Sequence, residues 1–466
     1  MKIAFHGAAR TVTGSKHLIT LRNGKRVLLD CGMFQGMGKQ TEELNGQFGF
    51  DPATVNYLVL SHAHIDHCGL IPKLVKDGFK GVIVCTPATK ELAGILLQDS
   101  AEIQRDDTAF INKRRKREGL PPYEPLYDVD DVAAAMKLFR SAPYDEWTIP
   151  EPGIEVMFTD AGHIIGSAAV HLRLTEDGKQ TRISFSGDVG RYNDAILRSP
   201  ADFPQADHLL LESTYGNRLH DEVTGTVDHL HDWIHKTCIE KKGKLIIPAF
   251  SVGRTQELLY ALNQLELENR LPPVPIYVDS PLSLEATQLV KHYPQYFNRR
   301  IRKVMETDSD PFDFKGLRFI KTVEESKRLN EQPEPCVIIS ASGMADAGRV
   351  KHHIRNNIDN AKNTILIVGY CEPESLGGRL SNGAKRVKIF GEPYKVVAEV
   401  GKILSMSAHG DYDDLCQFIA HQDPNILQNL FLVHGEYEVQ EEFARRLAKK
   451  GYRNVIIPER HWETSL

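Results

Sequence analysis

The chain has 466 residues, of which 41% are hydrophobic and 26% charged, and a formal net charge of −5. This length exceeds one ordinary core and predicts two domains. The acidic balance disfavours a protein that holds nucleic acid through its overall charge, and leaves room only for a locally positive cleft. Seven scattered cysteines without a Cys-x-x-Cys pair indicate reduced thiols. With no signal peptide and no apolar run of about 18 residues, we predict a cytoplasmic protein without a membrane span.

The first half of the chain predicts short strands that end in chemically capable side chains. Each apolar run is bounded by Gly or polar residues, which is typical of strands buried on both faces. The predicted strands cover residues 25–29, 57–60, 154–158, 182–185 and 208–211, and a helix is predicted over 69–76. These elements indicate a layered α/β domain whose loops carry its chemistry.

The segment 99–129 interrupts this alternation. It contains Lys113-Arg114-Arg115-Lys116-Arg117 and, shortly after, Leu120-Pro121-Pro122. The run of charges predicts a solvated helix followed by a turn. The functional alternative is a basic lid beside a polyanion cleft.

The second half predicts longer α/β units with a parallel sheet. Strands are predicted at 245–247, 276–278, 337–339 and 364–368, and a helix opens at Gly253-Arg254. Near Gly377-Gly378-Arg379 the first architecture is expected to resume, ending with a strand at 430–433. The predicted domains are therefore 1–214 and 379–466 for one α/β domain, with 215–378 inserted into it.

The segment Ser61-His62-Ala63-His64-Ile65-Asp66-His67 carries the strongest chemical signal in the chain. Its four potential metal ligands directly follow a predicted strand, where a loop can gather them about a small volume. Imidazole and carboxylate donors suit zinc, whereas calcium favours oxygen ligands and structural zinc fingers favour thiolates. We therefore predict a zinc site here.

Four ligands this close exceed what one ion needs if it keeps a position open for chemistry, so two ions are the simpler interpretation. Further candidates follow other predicted strands, namely His163, Asp188 and His434. Seven ligands divide between two ions if Asp188 bridges them.

The order His-x-His-x-Asp-His, then His163, Asp188 and a late His434, resembles the metallo-β-lactamase superfamily. Glu212 in Leu-Glu-Ser-Thr-Tyr-Gly and His409 in Ser-Ala-His-Gly-Asp make the chain similar to the β-CASP nucleases of that superfamily. The segments Pro-Ala-Phe-Ser-Val-Gly-Arg at 248–254 and Ser-Ala-Ser-Gly-Met at 340–344 also resemble β-CASP sequences. The resemblance covers nearly the whole chain and implies an α/β fold: a metallo-β-lactamase αββα sandwich with an inserted β-CASP α/β domain.

The resemblance also implies roles for these residues. The implied ligand set is His62, His64 and His163 for one zinc ion and Asp66, His67 and His434 for the other, with Asp188 bridging. Asp30 resembles a supporting carboxylate, and we count it with Asp66, Glu212 and His409 as catalytic candidates. His409 would act as general acid or as donor to the scissile phosphate, with Glu212 orienting either it or a ligand histidine. His434 favours RNA over DNA, because RNA-cutting members tend to carry His at this motif and DNA-repair members Val.

The predicted inserted domain offers candidate phosphate-binding residues. Backbone N–H groups around Ser340, Ser342 and Gly343 could receive an anion, and Arg254 and Arg379 could add charge. A tight turn is the alternative reading of the Gly/Ser segment.

The function predicted from these features is that of a zinc ribonuclease with two Zn²⁺ per chain, a hydroxide shared by the ions as nucleophile, and single-stranded RNA as substrate. Endonucleolytic cleavage in RNA processing or decay is expected, because the chain ends about thirty residues after His434 without the extra C-terminal domain of ribonuclease J-like exonucleases. The alternatives are a 5′–3′ exoribonuclease, a hydrolase of DNA, a thioester or a lactone, and a non-enzymatic subunit of an RNA-processing complex. The oligomeric state stays open, with a homodimer as one alternative.

Overall fold

The computed structural model describes residues 1–220, 225–369, 371–403 and 406–466. The strands of this part of the chain are β1 Lys2–Gly7, β2 Lys16–Thr20, β3 Arg26–Leu29, β4 Tyr57–Val59, β5 Val82–Cys85, β6 Phe139–Ser141, β7 Thr148–Glu151, β8 Ile154–Asp160, β9 Ala168–Glu176, β10 Lys179–Phe185, β11 His208–Glu212, β12 Lys244–Pro248, β13 Ile276–Val278, β14 Leu317–Phe319, β15 Cys336–Ser340, β16 Thr364–Ile367, β17 Arg386–Ile389, β18 Glu392–Lys395, β19 Glu399–Lys402, β20 Asn429–Val433, β21 Val455–Ile456 and β22 Glu463–Ser465. Its α-helices are α1 Thr41–Gly46, α2 Ile65–Cys68, α3 Ile71–Lys76, α4 Pro87–Arg117, α5 Val129–Met136, α6 Thr226–Ile234, α7 Arg254–Leu267, α8 Pro281–Lys291, α9 Arg299–Val304, α10 Val323–Glu331, α11 Arg349–Asn357, α12 Leu376–Ser381, α13 Tyr412–Phe418 and α14 Tyr437–Lys449.

The chain divides into two compact units, and the first is a sandwich of two sheets. This unit consists of Met1–Tyr192, Ser199–Leu219 and His409–Leu466. One sheet has the order β22-β1-β2-β3-β4-β5-β6, and the other has the order β21-β20-β11-β10-β9-β8-β7. Apolar side chains from both sheets, such as Phe5 and Phe158, form one buried cluster between them.

Helices cover the outer faces of this sandwich. On the second sheet, Leu209 and Leu432 pack with Phe418 of α13 and Phe443 of α14 in a separate buried cluster. On the first sheet, α4 lies beside β6, and α3 and α4 pack against α5. The first unit is therefore the αββα sandwich that the sequence predicts.

Pairing directions place the functional side chains of the first unit at one edge. Strands β10, β11 and β20 run parallel to one another, and β8 has the same direction because both β8 and β10 pair antiparallel with β9. Their carboxyl ends therefore meet at the same edge of the second sheet. The residues that follow those ends come together although they are far apart in sequence.

The second unit contains a parallel sheet. It consists of Asn193–Arg198 and His220–Ala408, and its sheet has the order β14-β13-β15-β12-β16-β19. Every pairing in this sheet is parallel. Such a sheet needs a helical connection between strands, and α7, α8, α10 and α11 supply those connections. This unit is the inserted α/β domain.

The chain returns to the first unit later than the sequence predicts. The expected boundary was 378/379, but Gly377 and Arg379 lie in α12, and the second unit continues to Ala408. The reason is strand β19, which pairs in parallel with β16 and so extends the second unit's sheet. Residues 193–198 also belong to this unit, because the backbone of Leu197 forms a bridge with that of Phe297.

Two local predictions concern the surface of the chain. The segment predicted as a solvated helix and turn forms the second half of α4 and the irregular stretch before α5, and Lys113, Arg114, Lys116 and Arg117 are exposed as predicted. After the Gly/Ser segment 340–344, helix α11 begins at Arg349. Among the described residues, none of the helices has both the length and the apolarity that a bilayer crossing requires.

Candidate metal centre

The histidine-rich segment occupies the loop after β4 and the short helix α2. His62 and His67 are fully buried, and the side chain of Asp66 is 18% exposed. His62 Nε2 lies 3.1 Å from His64 Nδ1, so the two rings direct nitrogens at a common point. A single short helix, α2, then turns Asp66 and His67 toward a second point.

Asp188 follows β10 and lies between two groups of donors. Its Oδ2 is 3.4 Å from His62 Nε2 and 3.6 Å from His163 Nε2. Its Oδ1 is 3.2 Å from His67 Nε2 and 3.5 Å from His434 Nδ1. Each carboxylate oxygen therefore faces a different pair of imidazoles.

The remaining predicted ligands complete the two groups. His64 Nδ1 is 3.1 Å from His163 Nε2, and His434 Nε2 is 3.3 Å from Asp66 Oδ2. The ligand atoms of His62, His64, His163 and Asp188 all lie within 4.8 Å of one another, as do those of Asp66, His67 and His434. The structure thus brings all seven predicted side chains into one buried space.

Protonation within this space suits metal ligands. Burial lowers the pKa of His62 to about 3 and that of His64 to about 4, so both imidazoles are neutral near pH 7. Burial opposes ionisation of Asp188, but neighbouring imidazoles, first of all His434, outweigh it and hold its pKa well below the usual range. Neutral imidazoles and an ionised carboxylate are the states in which these side chains bind metals.

His67 is the exception among the imidazoles. Burial alone would lower its pKa, but Asp188, Asp66 and Asp30 together raise it well above the usual value. Since a metal ligand must be deprotonated, an ion bound at His67 displaces this proton. Asp188 Oδ1 is buried and accepts no hydrogen bond within the described residues. The donor set therefore fits divalent metal ions.

Asp30 supports the site from behind His67. Its Oδ2 lies 2.7 Å from His67 Nδ1, which leaves Nε2 of that ring for the site. Oδ1 accepts a hydrogen bond of 2.8 Å from the Ser61 amide, and Oδ2 accepts one of 2.9 Å from the Ser61 hydroxyl. A carboxylate behind a ligating imidazole fixes its tautomer and orientation.

His409 and Glu212 form a pair beside the same space. His409 Nδ1 is 3.1 Å from Glu212 Oε1 and 3.9 Å from Asp188 Oδ2. Burial would lower the pKa of His409, but Glu212 and Asp188 raise it to about 9. The imidazole is therefore protonated at neutral pH, the state in which it can donate a proton.

A third group of possible ligands, formed by Asp188, Glu212, His409 and His434, overlaps the two described above. The Glu212 oxygens already accept hydrogen bonds from the backbone amides of Val189, at 2.7 Å, and Thr214, at 3.2 Å. With Oε1 also against His409, this carboxylate is better placed to hold its neighbours than to bind an ion.

Two supporting residues escaped the sequence reasoning. Ser61 Oγ lies 3.0 Å from His62 Nδ1 and also bonds Asp30, and Thr214 Oγ1 lies 3.0 Å from His434 Nδ1. The only signal for them is their position, next to His62 and two residues after Glu212. Hydroxyl groups at such positions have no distinguishing spacing.

The residues predicted to bind phosphate lie in the second unit. Ser340 Oγ donates to the Asp279 carbonyl, and the Ser342 amide donates to the Ala347 carbonyl at 3.2 Å, so both groups are already engaged. Arg254 is buried against Glu257, whereas Arg379 is exposed. A Cβ on Gly343 would come within 2.6 Å of the Phe250 ring, so this glycine packs directly beneath that ring. A role in RNA binding stays a prediction for these five residues.

Family models match three segments of the chain. The model of the metallo-β-lactamase superfamily matches residues 13–248, and the β-CASP domain model matches residues 255–380. A model described as a Zn-dependent metallo-hydrolase RNA specificity domain matches residues 393–458.

Curated relatives extend over most of the chain. Ribonuclease TTHA0252 of Thermus thermophilus is 35% identical over 97% of each chain. An RNase J-like protein of Methanocaldococcus jannaschii is 31% identical over 98% of each chain. The transcription termination factor FttA of Methanosarcina mazei is 30% identical over 91% of this chain, which spans only 65% of that relative.

Proposed function

We propose a reaction for this chain from one premise: it belongs to the β-CASP branch of the metallo-β-lactamase superfamily, a family of metal-dependent ribonucleases. The proposal is that it hydrolyses phosphodiester bonds of single-stranded RNA at internal positions, with two zinc ions held by the buried histidines and aspartates.

The observation that carries this proposal is the position of Asp188. One of its oxygens faces His62 and His163, and the other faces His67 and His434. A carboxylate so placed would serve as a ligand to both of two ions, which favours a pair of ions over a single one. The nitrogen-rich donor set supports zinc over magnesium or calcium, which favour oxygen ligands.

RNA is proposed as the substrate on two grounds. The segment matched by the RNA specificity model, 393–458, includes both His409 and His434. A relative that matches along nearly its whole length is named a ribonuclease. Both grounds favour RNA over a thioester or lactone.

Bound ions of this kind supply a water molecule whose pKa is lowered to about 7 and neutralise charge on a phosphate. Glu212 keeps His409 protonated. His409 then either transfers its proton to the leaving oxygen of the cleaved bond or donates a hydrogen bond to the phosphate. Asp30 and Ser61 keep His67 and His62 in their orientations. Asp66 acts as a metal ligand together with His62 and His67.

The test combines metal content with product analysis. Purified wild type, His409→Ala and the matched control His292→Ala, whose imidazole is exposed in the second unit, are incubated with 5′-labelled RNA and DNA of one sequence. We expect two zinc ions per chain, internal RNA fragments, intact DNA, and a loss of about 10²- to 10⁴-fold in His409→Ala only.

Different results would reject separate parts of this proposal. Fewer than two bound ions would reject the two-ion site, and unchanged cleavage by His409→Ala would reject its role. DNA cut as fast as RNA would reject the substrate. Mononucleotide products would replace endonucleolytic by exonucleolytic cleavage.

A further inference from the structure

The long helix α4 has two halves of different character. Its buried residues are Ala88, Thr89, Leu92, Ala93, Leu96, Leu97 and Ala101, and all of them lie in the first half. From residue 102 to Arg117 no side chain is buried, so this half extends beyond the core that holds the first.

The outer half is nevertheless fixed in place. Asn112 exchanges two hydrogen bonds with the backbone of Tyr123, at 2.7 and 3.0 Å. Arg115 Nε donates to the Pro121 carbonyl at 2.6 Å, and the Leu126 amide donates to Gln104 Oε1 at 3.2 Å. The Pro-containing segment after the helix therefore braces one of its faces and leaves the opposite face open.

The open face carries one aromatic ring and three cations near its outer end, with Ile103, Asp106 and Asp107 one to two turns earlier on the same side. Phe110 is 77% exposed. Lys113, Arg114 and Arg117 follow it at i+3, i+4 and i+7, the spacing that places side chains on one side of a helix. We call Phe110, Lys113, Arg114 and Arg117 the α4 patch.

Neighbouring carboxylates form few ion pairs with these cations. Lys113 and Arg117 form no ion pair within the described residues, and Arg114 reaches only Glu118, at 3.9 Å. Residues 108–117 contain no acidic side chain, in a protein whose net charge is −5. Cations in the last turn of a helix interact favourably with the helix dipole. This interaction does not explain why an exposed phenylalanine lies among them.

We propose that the α4 patch binds single-stranded RNA beyond the cleavage site, a proposal that rests on the ribonuclease function given above. Phe110 stacks on one base, which requires no particular sequence, and the three cations contact the adjacent phosphates. Phe110 and the exposed Ile103, two turns earlier on the same side of the helix, together offer too little apolar surface for a stable protein interface or an amphipathic membrane contact. The α4 patch matches a base flanked by phosphates.

The helix connects this patch to the metal centre. The hydroxyls of Thr86 and Thr89, at its amino end, donate to the Gly166 carbonyl at 2.7 and 2.8 Å, in the loop that follows His163. At 1.5 Å per residue, Phe110 lies roughly 35 Å further along the helix axis. A stacked strand rising 3.4 Å per nucleotide needs about ten nucleotides to cover that distance. A stacked RNA shorter than this cannot use both sites.

The experiment compares RNAs of about five and about thirty nucleotides as substrates of the full-length protein. The variants are Phe110→Ala, Phe110→Trp and the triple change Lys113→Ala/Arg114→Ala/Arg117→Ala. The control, Lys80→Ala/Lys137→Ala/Lys179→Ala, removes three exposed charges of the first unit that lie outside the segment matched by the RNA specificity model. Cleavage is measured as kcat/KM, and binding by fluorescence anisotropy, over a range of salt concentrations.

We expect the triple variant to lose about tenfold in kcat/KM on the long RNA and to keep wild-type activity on the short one. The slope of log affinity against log salt should fall by about 2, because each lost phosphate contact removes about 0.7. Phe110→Ala should weaken binding of the long RNA about tenfold and leave the salt slope unchanged, since stacking is not ionic. Phe110→Trp should retain wild-type affinity.

Wild-type behaviour of the triple variant and of Phe110→Ala on long RNA would overturn the proposal, as would an equal loss in the control. An effect of the charges without any effect of Phe110, matched by equal binding of polyphosphate, would also overturn it in favour of a general anion surface. Preferential binding to anionic lipid vesicles would do the same. If the wild type cuts neither RNA, the ribonuclease function fails, and anisotropy with the long RNA still decides on the patch.

Discussion

At the residue scale, the centre depends on a carboxylate whose two oxygens face different donor groups. Asp188→Asn keeps the size of this side chain and removes its charge. We expect metal content to fall from two ions to one or none, and activity to fall by at least about 100-fold, since even partners behind a ligand cost 10- to 100-fold. Elemental analysis and RNA cleavage measure both effects. Asp202→Asn, at a side chain 88% exposed, is the matched control, and two retained ions in Asp188→Asn would contradict the prediction.

Sequence spacing finds the candidate ligands because metal coordination needs particular chemistry at strand ends. Three histidines and an aspartate within residues 62–67 are rarely a structural accident, and the structure places His163, Asp188 and His434 beside them. Ser61 and Thr214 could not be found in this way, because a hydroxyl becomes a partner of His62 or His434 only through the fold. Local pattern therefore identifies donors to the ion better than it identifies the groups that orient them.

At the element scale, the loop after β3 and helix α2 approach each other too closely for a side chain between them. Gly32 lies where an added Cβ would come 1.6 Å from the Asp66 carbonyl oxygen. The adjacent backbone is fixed by hydrogen bonds from Cys31 N to His67 O and from Met33 N to Ile65 O, at 2.8 and 2.9 Å. Neither side can move without displacing Asp66 and His67.

Gly32→Ala should therefore damage both stability and metal binding. We expect a loss of about 3 kcal/mol or more in the free energy of unfolding, at the upper end of what overpacking costs, together with reduced metal content. Gly46→Ala is the control, because a Cβ there meets no atom within 4 Å. Denaturant unfolding measures the stability of both variants, and elemental analysis measures their metal content. Equal values for Gly32→Ala and Gly46→Ala would contradict this prediction.

The sequence predicts strand positions in both units to within a few residues, but it places the end of the insertion about thirty residues too early. Buried runs such as 276–278 are locally recognisable, because they are apolar and bounded by residues that interrupt strands, here Pro275 and Asp279. Strand β19, Glu399–Lys402, is half-exposed and has charged ends, so nothing local marks it as part of the sheet. Its membership follows from pairing with β16, a contact between segments that the chain pattern does not connect.

At the scale of the whole molecule, the proposed ions join segments from His62 to His434, and all of these ligands belong to the first unit. Without ions, that unit keeps ionised Asp188 and Asp66 in a buried space beside His67 and His434. An ion that binds only the folded state stabilises that state by about 4 kcal/mol when the free ion concentration is 1,000 times its Kd.

Chelation should therefore lower the Tm of the first unit by roughly 10 °C or more, while the second unit, which contributes none of the proposed ligands, changes little. Differential scanning calorimetry of the full chain, with and without EDTA, measures this as the separation of one transition from another. Added zinc should restore the original trace, and magnesium at the same concentration should not, because the donors are mainly imidazoles. Asp188→Asn should respond to EDTA less than the wild type. Identical traces before and after removal of the metal would show that the ligands hold their positions through protein contacts alone.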